Sequence, residues 1–182
     1  MDKIRLASPL QIDSIVDGPG IRAVIWTQGC IHNCLECHNP ETHDLMGGYV
    51  EDISKIKKQI EKLELHDGIT LSGGDPLEQV SACLAIAQYC QQINKTVWCY
   101  TGYTFEQLLA KNDQEIMKFL NNVDVLIDGP FIQKEQSYNI PFRGSKNQRI
   151  LDVKKSLEQK KAISILKYEE ETIKEKKELI FI

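Results

Sequence analysis

Residues 21–38 read IRAVIWTQGCIHNCLECH, and this stretch decides how the rest of the chain is to be read. Ile21 to Thr27 is a nearly continuous apolar run rich in β-branched and aromatic side chains. That is the pattern of a strand covered on both faces. It leads into a short turn-prone loop carrying Cys30, Cys34 and Cys37 at spacing C-x3-C-x2-C. Thiolates are soft ligands that select zinc, Cu(I) or iron–sulfur clusters. Three of them are one short of the set that closes a cubane or a structural zinc site. Such a vacancy leaves one metal open to a further ligand. A zinc site completed by His32, His38 or His43 is the alternative reading of the same residues. A redox C-x-x-C at Cys34 and Cys37 would leave Cys30 without a role.

The rest of the composition is that of an ordinary globular domain. A chain of 182 residues is long enough for one domain with a real core. Hydrophobic residues make up 42% and charged residues 26%, both typical of soluble proteins. The net charge of −4 argues against nucleic acid as a partner, because phosphate binding needs a dense basic surface. No window approaches the roughly 18 unbroken apolar residues that a membrane span requires. Met1 to Pro9 lacks the apolar core of a secretory signal, so a cytoplasmic location is expected. In that reducing compartment the six cysteines read as ligands or core thiols, not disulfides. Cys83 and Cys90, seven apart on a helix, share a face, and Cys99 falls in a strand. All three suit a core.

Outward from the cysteine loop, the chain alternates between strand and helix patterns. Residues 3–7 suit a short strand, and Gln11 to Gly20 reads as a loop closed by the turn Asp17-Gly18-Pro19-Gly20. After a linker from Thr42 to Tyr49, Ile53, Ile56, Ile60 and Leu63 recur at helical spacing, with Asp52 as N-cap. Gly68 to Leu71 is a strand broken by Ser72-Gly73-Gly74-Asp75-Pro76. Leu77 to Ile93 is a helix with Val80, Leu84 and Ala87 on one stripe. Thr96 to Tyr100 is a strand, and Thr104 with Gln107 forms a capping box. A helix over Gln114 to Leu120, a strand over Val123 to Ile127, a long polar loop and a strand over Arg149 to Val153 complete the pattern. Strands separated by helices at these intervals predict parallel β/α units. Composition changes after residue 155, where lysine and glutamate alternate. This predicts a domain over 1–155 and a charged extension over 156–182.

The informative residues fall just after strands, where parallel β/α folds gather function. Cys30, Ser72 to Asp75, Tyr100 to Gly102 and Asp128 all do so. Gly73 and Gly74 would let backbone approach a ligand closely, and Asp75 would offer a carboxylate to an ammonium group.

The cysteine spacing resembles the cluster loop of the radical S-adenosylmethionine superfamily. The wider string Asp17-Gly18-Pro19-Gly20-Ile21-Arg22, then Gln28-Gly29-Cys30, then Cys37-His38-Asn39-Pro40, resembles its glycyl-radical-enzyme activases. Within that group the resemblance extends from Ile12 to Leu157 and is greatest to activators of anaerobic ribonucleoside-triphosphate reductases. It implies an open, partial parallel β/α barrel. It implies a [4Fe-4S] cluster on Cys30, Cys34 and Cys37, with S-adenosylmethionine on the open iron. Reductive cleavage of the sulfonium would then produce a radical that takes hydrogen from a glycine of the reductase. A flavodoxin- or ferredoxin-type protein would supply the electron.

The same resemblance assigns cofactor contacts. The string Ser72-Gly73-Gly74-Asp75 matches the superfamily's glycine-glycine-acid motif, which meets the methionine amino group. Glu36 and His38 flank the last ligand, with His38 placed to stack near adenine, and Asp128 is a candidate for the ribose or methionine end. Asp17, Gly18 and Arg22, together with Arg143 and Arg149 in the string RGSKNQR (residues 143–149), are candidate partner contacts. Activation of a pyruvate formate-lyase type enzyme, a queuosine-precursor type of radical enzyme, or a zinc-stabilised binding module are the competing readings.

Overall fold

The computed structural model describes residues 2–169. Strands β1 (Lys3–Leu6), β2 (Gln11–Ser14), β3 (Arg22–Thr27) and β4 (Tyr49–Asp52) precede helix α1 (Ile53–Glu61). There follow β5 (Gly68–Gly73), α2 (Val80–Gln92), β6 (Thr96–Tyr100), α3 (Phe105–Ala110), α4 (Gln114–Leu120), β7 (Val125–Asp128), β8 (Arg149–Asp152) and α5 (Val153–Gln159). The strands form one sheet of order β4-β1-β3-β5-β6-β7-β8, with β2 also paired to β3. No helix among the described residues is long and apolar enough to cross a membrane.

The architecture is α/β, and its four central strands, β3, β5, β6 and β7, are parallel as the alternation predicts. The sheet as a whole is mixed. β1, β2 and β4 extend it antiparallel on one side, and β8 returns antiparallel to β7 on the other. A parallel neighbour needs a long crossover, usually a helix. Residues 129–148, which join β7 to β8, contain a single short 3-10 turn, Gln133–Glu135, so β8 comes back antiparallel. The sequence patterns miss β2 and β4 because both are mostly exposed, so neither shows the apolar alternation of a strand with a buried face.

Side chains alternate between the two faces of the sheet. Val97, Cys99, Leu126 and Leu151 join the larger core, where the helices contribute Ile56, Ile60, Cys83, Ile86, Cys90 and Phe119. Trp98, Val125, Ile127 and Ile150 face the other way into a smaller cluster. Cys83, Cys90 and Cys99 are fully buried, as their setting predicts, and burial pushes the Cys90 thiol up to about 12. Such thiols stay protonated and inert. The buried stripe of α2 is Ala82, Cys83, Ile86, Ala87 and Cys90, whereas Val80 and Leu84 are only partly covered. The helix begins at Val80, after a 3-10 turn over Pro76–Gln79, and of the expected stripe only Ala87 is fully buried. The capping box of Thr104 and Gln107 is formed, while Asp52 occupies the N-cap of α1 without a side-chain hydrogen bond.

The compositional break at residue 155 falls inside α5. Beyond that helix the chain runs beside β8, with hydrogen bonds from Asp152 N to Ile163 O (2.9 Å) and from Ile165 N to Ile150 O (2.8 Å). Tyr168 packs edge-on against Trp98 and Phe142. Residues 156–169 are therefore part of the folded unit, and the rest of the expected extension, 170–182, lies outside the described residues.

Arg22, a candidate partner contact, is 1% exposed. Its Nε donates to Thr70 Oγ1 (2.8 Å), Nη1 donates to Thr96 Oγ1 (3.0 Å), and Nη2 donates to the Ile69 and Thr96 carbonyls. The guanidinium lies 5.4 Å from the Trp98 ring centroid. Burial pushes its pKa down to about 10, with Asp67 and Asp124 opposing the shift. Gly18 takes φ +133° in the adjoining turn, where a Cβ would lie 2.7 Å from Arg22 Cδ. Gly18 is thus packed against the arginine, and neither residue offers its side chain position to a partner. Replacing Arg22 by Met keeps the volume but strips donors from buried acceptors. Chemical denaturation should show a loss of about 2–3 kcal/mol.

Candidate functional site

The cluster loop leaves β3 at Gln28 and is held shut at its base. Gln28 Nε2 donates to the carbonyls of Glu41 (3.1 Å) and Asp44 (2.7 Å). Gly29 N donates to Thr42 O and Cys30 N to His43 O. Within the loop Asn33 and Glu36 adopt left-handed backbone, which coils the segment so that its three thiols face one cleft. That cleft, of about 740 Å³, lies at the C-terminal ends of β3, β5 and β6.

Each cysteine sulfur accepts a backbone N–H. His32 donates to Cys30, Phe131 to Cys34 and Asn39 to Cys37 at 3.4 Å. Such bonds favour thiolate over thiol, and they tune the potential of iron–sulfur centres. Burial pushes the Cys30 thiol up to about 11 and raises Cys34 as well. A coordinated cation outweighs that effect, because a ligating thiol is deprotonated outright. Among the described residues no three such side chains are already drawn together as a closed metal-binding set. The donor chemistry nevertheless fits an iron–sulfur cluster, with three half-buried sulfurs on one loop and an N–H on each.

The glycine turn after β5 forms the floor of the cleft. A Cβ at Gly74 would lie 2.3 Å from Gly29 O, and one at Gly73 would lie 2.5 Å from Thr27 O. Gly74 N and Asp75 N donate to Thr27 O (2.7 Å) and Gly29 O (2.8 Å). The close approach that these glycines permit is therefore between the turn and the base of the cluster loop. Asp75, only 1% exposed, is also bonded inward: it accepts from Leu77 N, Thr101 Oγ1, Gly102 N and His32 Nε2. That bond raises the His32 pKa, against the opposing effect of burial.

The structure brings most of the expected site residues together. Cys30, Cys34, Cys37, His38, Ser72, Gly73, Gly74 and Asp75 line the cleft, and so does Asp17. The His38 ring lies 4.6 Å from Phe131. Two cofactor candidates lie elsewhere. Glu36 is exposed and does not line the cleft, because the left-handed turn at that position carries it away. The Asp128 carboxylate is fully buried and accepts from Phe105 N and from Arg149, so it caps α3 and does not face a ligand.

The partner arginines are likewise engaged within the chain. Arg149 pairs with both Asp128 and Glu106, which raise its pKa. Arg143 borders the cleft, but it donates to the carbonyls of Gln148 and Tyr168 and pairs with Glu169. Tyr100, Thr101 and Gly102, singled out after β6, also line the cleft, whereas two groups of lining residues are not identified from the sequence: His32, considered there only as a zinc ligand, and Phe131 with Tyr138 in the 129–148 loop. A polar loop gives no periodicity to read. Gln148 organises it by holding Gly144 N, Ser145 N and Gly129 O.

A family profile described as a 4Fe-4S single cluster domain matches residues 16–151, which include every residue lining this cleft except Ile15. The chain belongs to that domain family. Curated relatives narrow it further. An anaerobic ribonucleoside-triphosphate reductase-activating protein of Vibrio cholerae is 35% identical over 145 residues, 75% of this chain and 90% of the relative. The proteins of the same name from Salmonella typhi and Escherichia coli are 37% and 33% identical, each over 74% of this chain and 90% of their own length. The chain is thus a member of the anaerobic ribonucleoside-triphosphate reductase-activating protein family.

Two outcomes follow from the geometry. Single Cys→Ala changes at 30, 34 or 37 should abolish iron and sulfide retention after anaerobic reconstitution, whereas Cys83→Ala, Cys90→Ala and Cys99→Ala should retain both. Gly74→Ala forces a Cβ against Gly29 O and should cost about 1–3 kcal/mol in denaturation. It should also lower cluster loading, not cofactor affinity alone.

Proposed function

We propose that this protein activates an anaerobic ribonucleoside-triphosphate reductase by generating a glycyl radical on it, using S-adenosylmethionine and a [4Fe-4S] cluster held by Cys30, Cys34 and Cys37. The observation that carries the reading is the three-thiol loop, each sulfur with its own N–H, facing a cleft large enough for a nucleoside-sized molecule. The family membership and the names of the relatives support the choice of target. In this reading the central strands are the core of an open radical S-adenosylmethionine barrel, with β1, β2, β4 and β8 added at its flanks. When bound, the cluster and S-adenosylmethionine together supply an electron and the hydrogen abstractor that acts on the glycine.

The chain's own residues bind, orient and shield. Cys30, Cys34 and Cys37 would hold three irons and leave the fourth open. His38, against Phe131, offers a flat surface beside the cleft for an aromatic base. Ser72, Gly73 and Gly74 line the floor of the cleft, packed against the base of the cluster loop. A flavodoxin- or ferredoxin-type electron donor and a cytoplasmic setting complete the proposal, since free thiols and a reduced cluster need a reducing compartment.

The reductase has to bring a backbone glycine to the cleft. Asp17 stands at the rim beside Ile15 and Val16, which are 71% and 69% exposed, and Tyr138 across the cleft is 88% exposed. With the arginines turned inward, an apolar rim is the surface left for a protein loop. Mixing the reduced protein, S-adenosylmethionine and the reductase should give a glycyl radical doublet on the reductase and free 5′-deoxyadenosine. A doublet on pyruvate formate-lyase alone would reassign the target. A colourless protein that forms no 5′-deoxyadenosine would favour the zinc module. Val16→Ser should lower radical yield roughly 5-fold or more through weaker docking, while uncoupled cofactor cleavage stays unchanged.

A further inference from the structure

Asp75 is saturated. An ionised carboxylate offers about four lone-pair sites. Oδ1 accepts from Leu77 N at 2.9 Å. Oδ2 accepts from Thr101 Oγ1 at 2.9 Å, from Gly102 N at 3.0 Å and from His32 Nε2 at 2.6 Å. Two of these donors are backbone groups, and the carboxylate is 1% exposed. An ammonium group approaching Oδ2 would have to displace a donor that is already there, and burial closes off Oδ1.

Three of the four donors come from the turn that carries Asp75 and from the end of β6. His32 alone comes from the cluster loop, between Cys30 and Cys34. Its ring sits in a formed slot. It stands edge-on to Tyr103 with centroids 4.5 Å apart, and a Cβ at Gly102 would lie 2.4 Å from its Cδ2. Tyr103 in turn bonds Glu78, in the 3-10 turn that follows Asp75. The backbone N–H of the same histidine donates to the Cys30 sulfur. Fixing the ring therefore fixes an amide that bears on a cluster ligand.

We propose that His32 and Asp75 form a clamp that locks the cluster loop onto the ends of β5 and β6, and that the Asp75 carboxylate serves this clamp and not the cofactor's ammonium group. His32 is then a positioning residue for Cys30. The spectroscopic part of its test rests on the function proposed above, and the exchange part does not.

The test compares wild type, His32→Ala, His32→Gln, Asp75→Asn and the double variant His32→Ala/Asp75→Asn. Hydrogen–deuterium exchange is followed across residues 29–38 in the metal-free chain. After reconstitution, the cluster midpoint potential and the cofactor-induced change in its electron paramagnetic resonance spectrum are measured. The clamp requires faster exchange in His32→Ala, a retained cluster with a shifted potential, and cofactor binding weakened roughly 10- to 100-fold, as for other outer-sphere partners of metal ligands. His32→Gln, whose amide can reach the same oxygen, should restore all three. The double variant should be no worse than the worse single one. Wild-type exchange and affinity in His32→Ala, with affinity lost only in Asp75→Asn, would make Asp75 a direct ligand and overturn the clamp. Additive losses in the double variant would also overturn it. Should His32→Ala fail to fold, Tyr103→Leu removes a wall of the slot and leaves every Asp75 donor in place. Faster exchange over 29–38 is then required, and unchanged exchange overturns the proposal. A wild-type protein with no cofactor-induced spectral change would defeat the proposed function, while the exchange data would still decide the clamp.

Discussion

The backbone of Gly29 lies directly on the backbone of Gly74, with no room for a side chain between them. Asp75 N donates to Gly29 O across this contact, and Gly74 N donates to Thr27 O just behind it. β3 and β5 pair in parallel up to Thr27 and Gly73, so the contact continues the sheet into the two loops that leave it. Everything at the cleft depends on this approach. It sets where the cluster loop begins, and so where Cys30 stands relative to the glycine turn. It also places Asp75 under the loop, where His32 can reach it.

The two faces of the sheet divide the work. The helical face holds the fold together with a dry core that includes three thiols. The opposite face carries Arg22, Trp98, Phe142 and Tyr168 packed on one another. This second cluster also positions the cleft wall. Tyr100 Oη donates to Phe142 O at 2.8 Å, and Arg143 Nη2 donates to Tyr168 O at 2.7 Å. The segment after α5 thus fastens the 129–148 loop, and that loop sends the Phe131 N–H to the Cys34 sulfur. Packing far from the cluster is linked to a cluster ligand through a short chain of contacts.

Arg22, Arg143 and Arg149 are engaged within the chain. A buried guanidinium is stable only when its donors are matched. Arg22 meets that condition with threonine hydroxyls and carbonyls, while the partly exposed Arg149 pairs with two carboxylates. These residues hold β3 to β5 and β6, and β8 to α3. The rim of the cleft is left to apolar side chains, which carry little desolvation cost when a protein loop covers them.

The sequence by itself determined the parallel centre of the sheet, helices α1 to α4, the capping box at Thr104, the thiols of the core and the cysteine loop. Each is a local signal: apolar periodicity, a cap spacing, or ligands within one short loop. It also singled out the glycine turn and Asp75. Only tertiary structure decided what those residues touch. The glycines at 73 and 74 receive another loop, Asp128 and Arg149 satisfy each other, and Arg22 is buried under the turn that precedes it. The polar edge strands β2 and β4, the 129–148 loop and the seat of His32 were beyond sequence for the same reason. Their conformations are set largely by partners distant along the chain, such as Asp75 for His32, 43 positions away, and Ser145 for Ile132, 13 positions away, and such hydrogen bonds leave no periodic trace in the residues that make them.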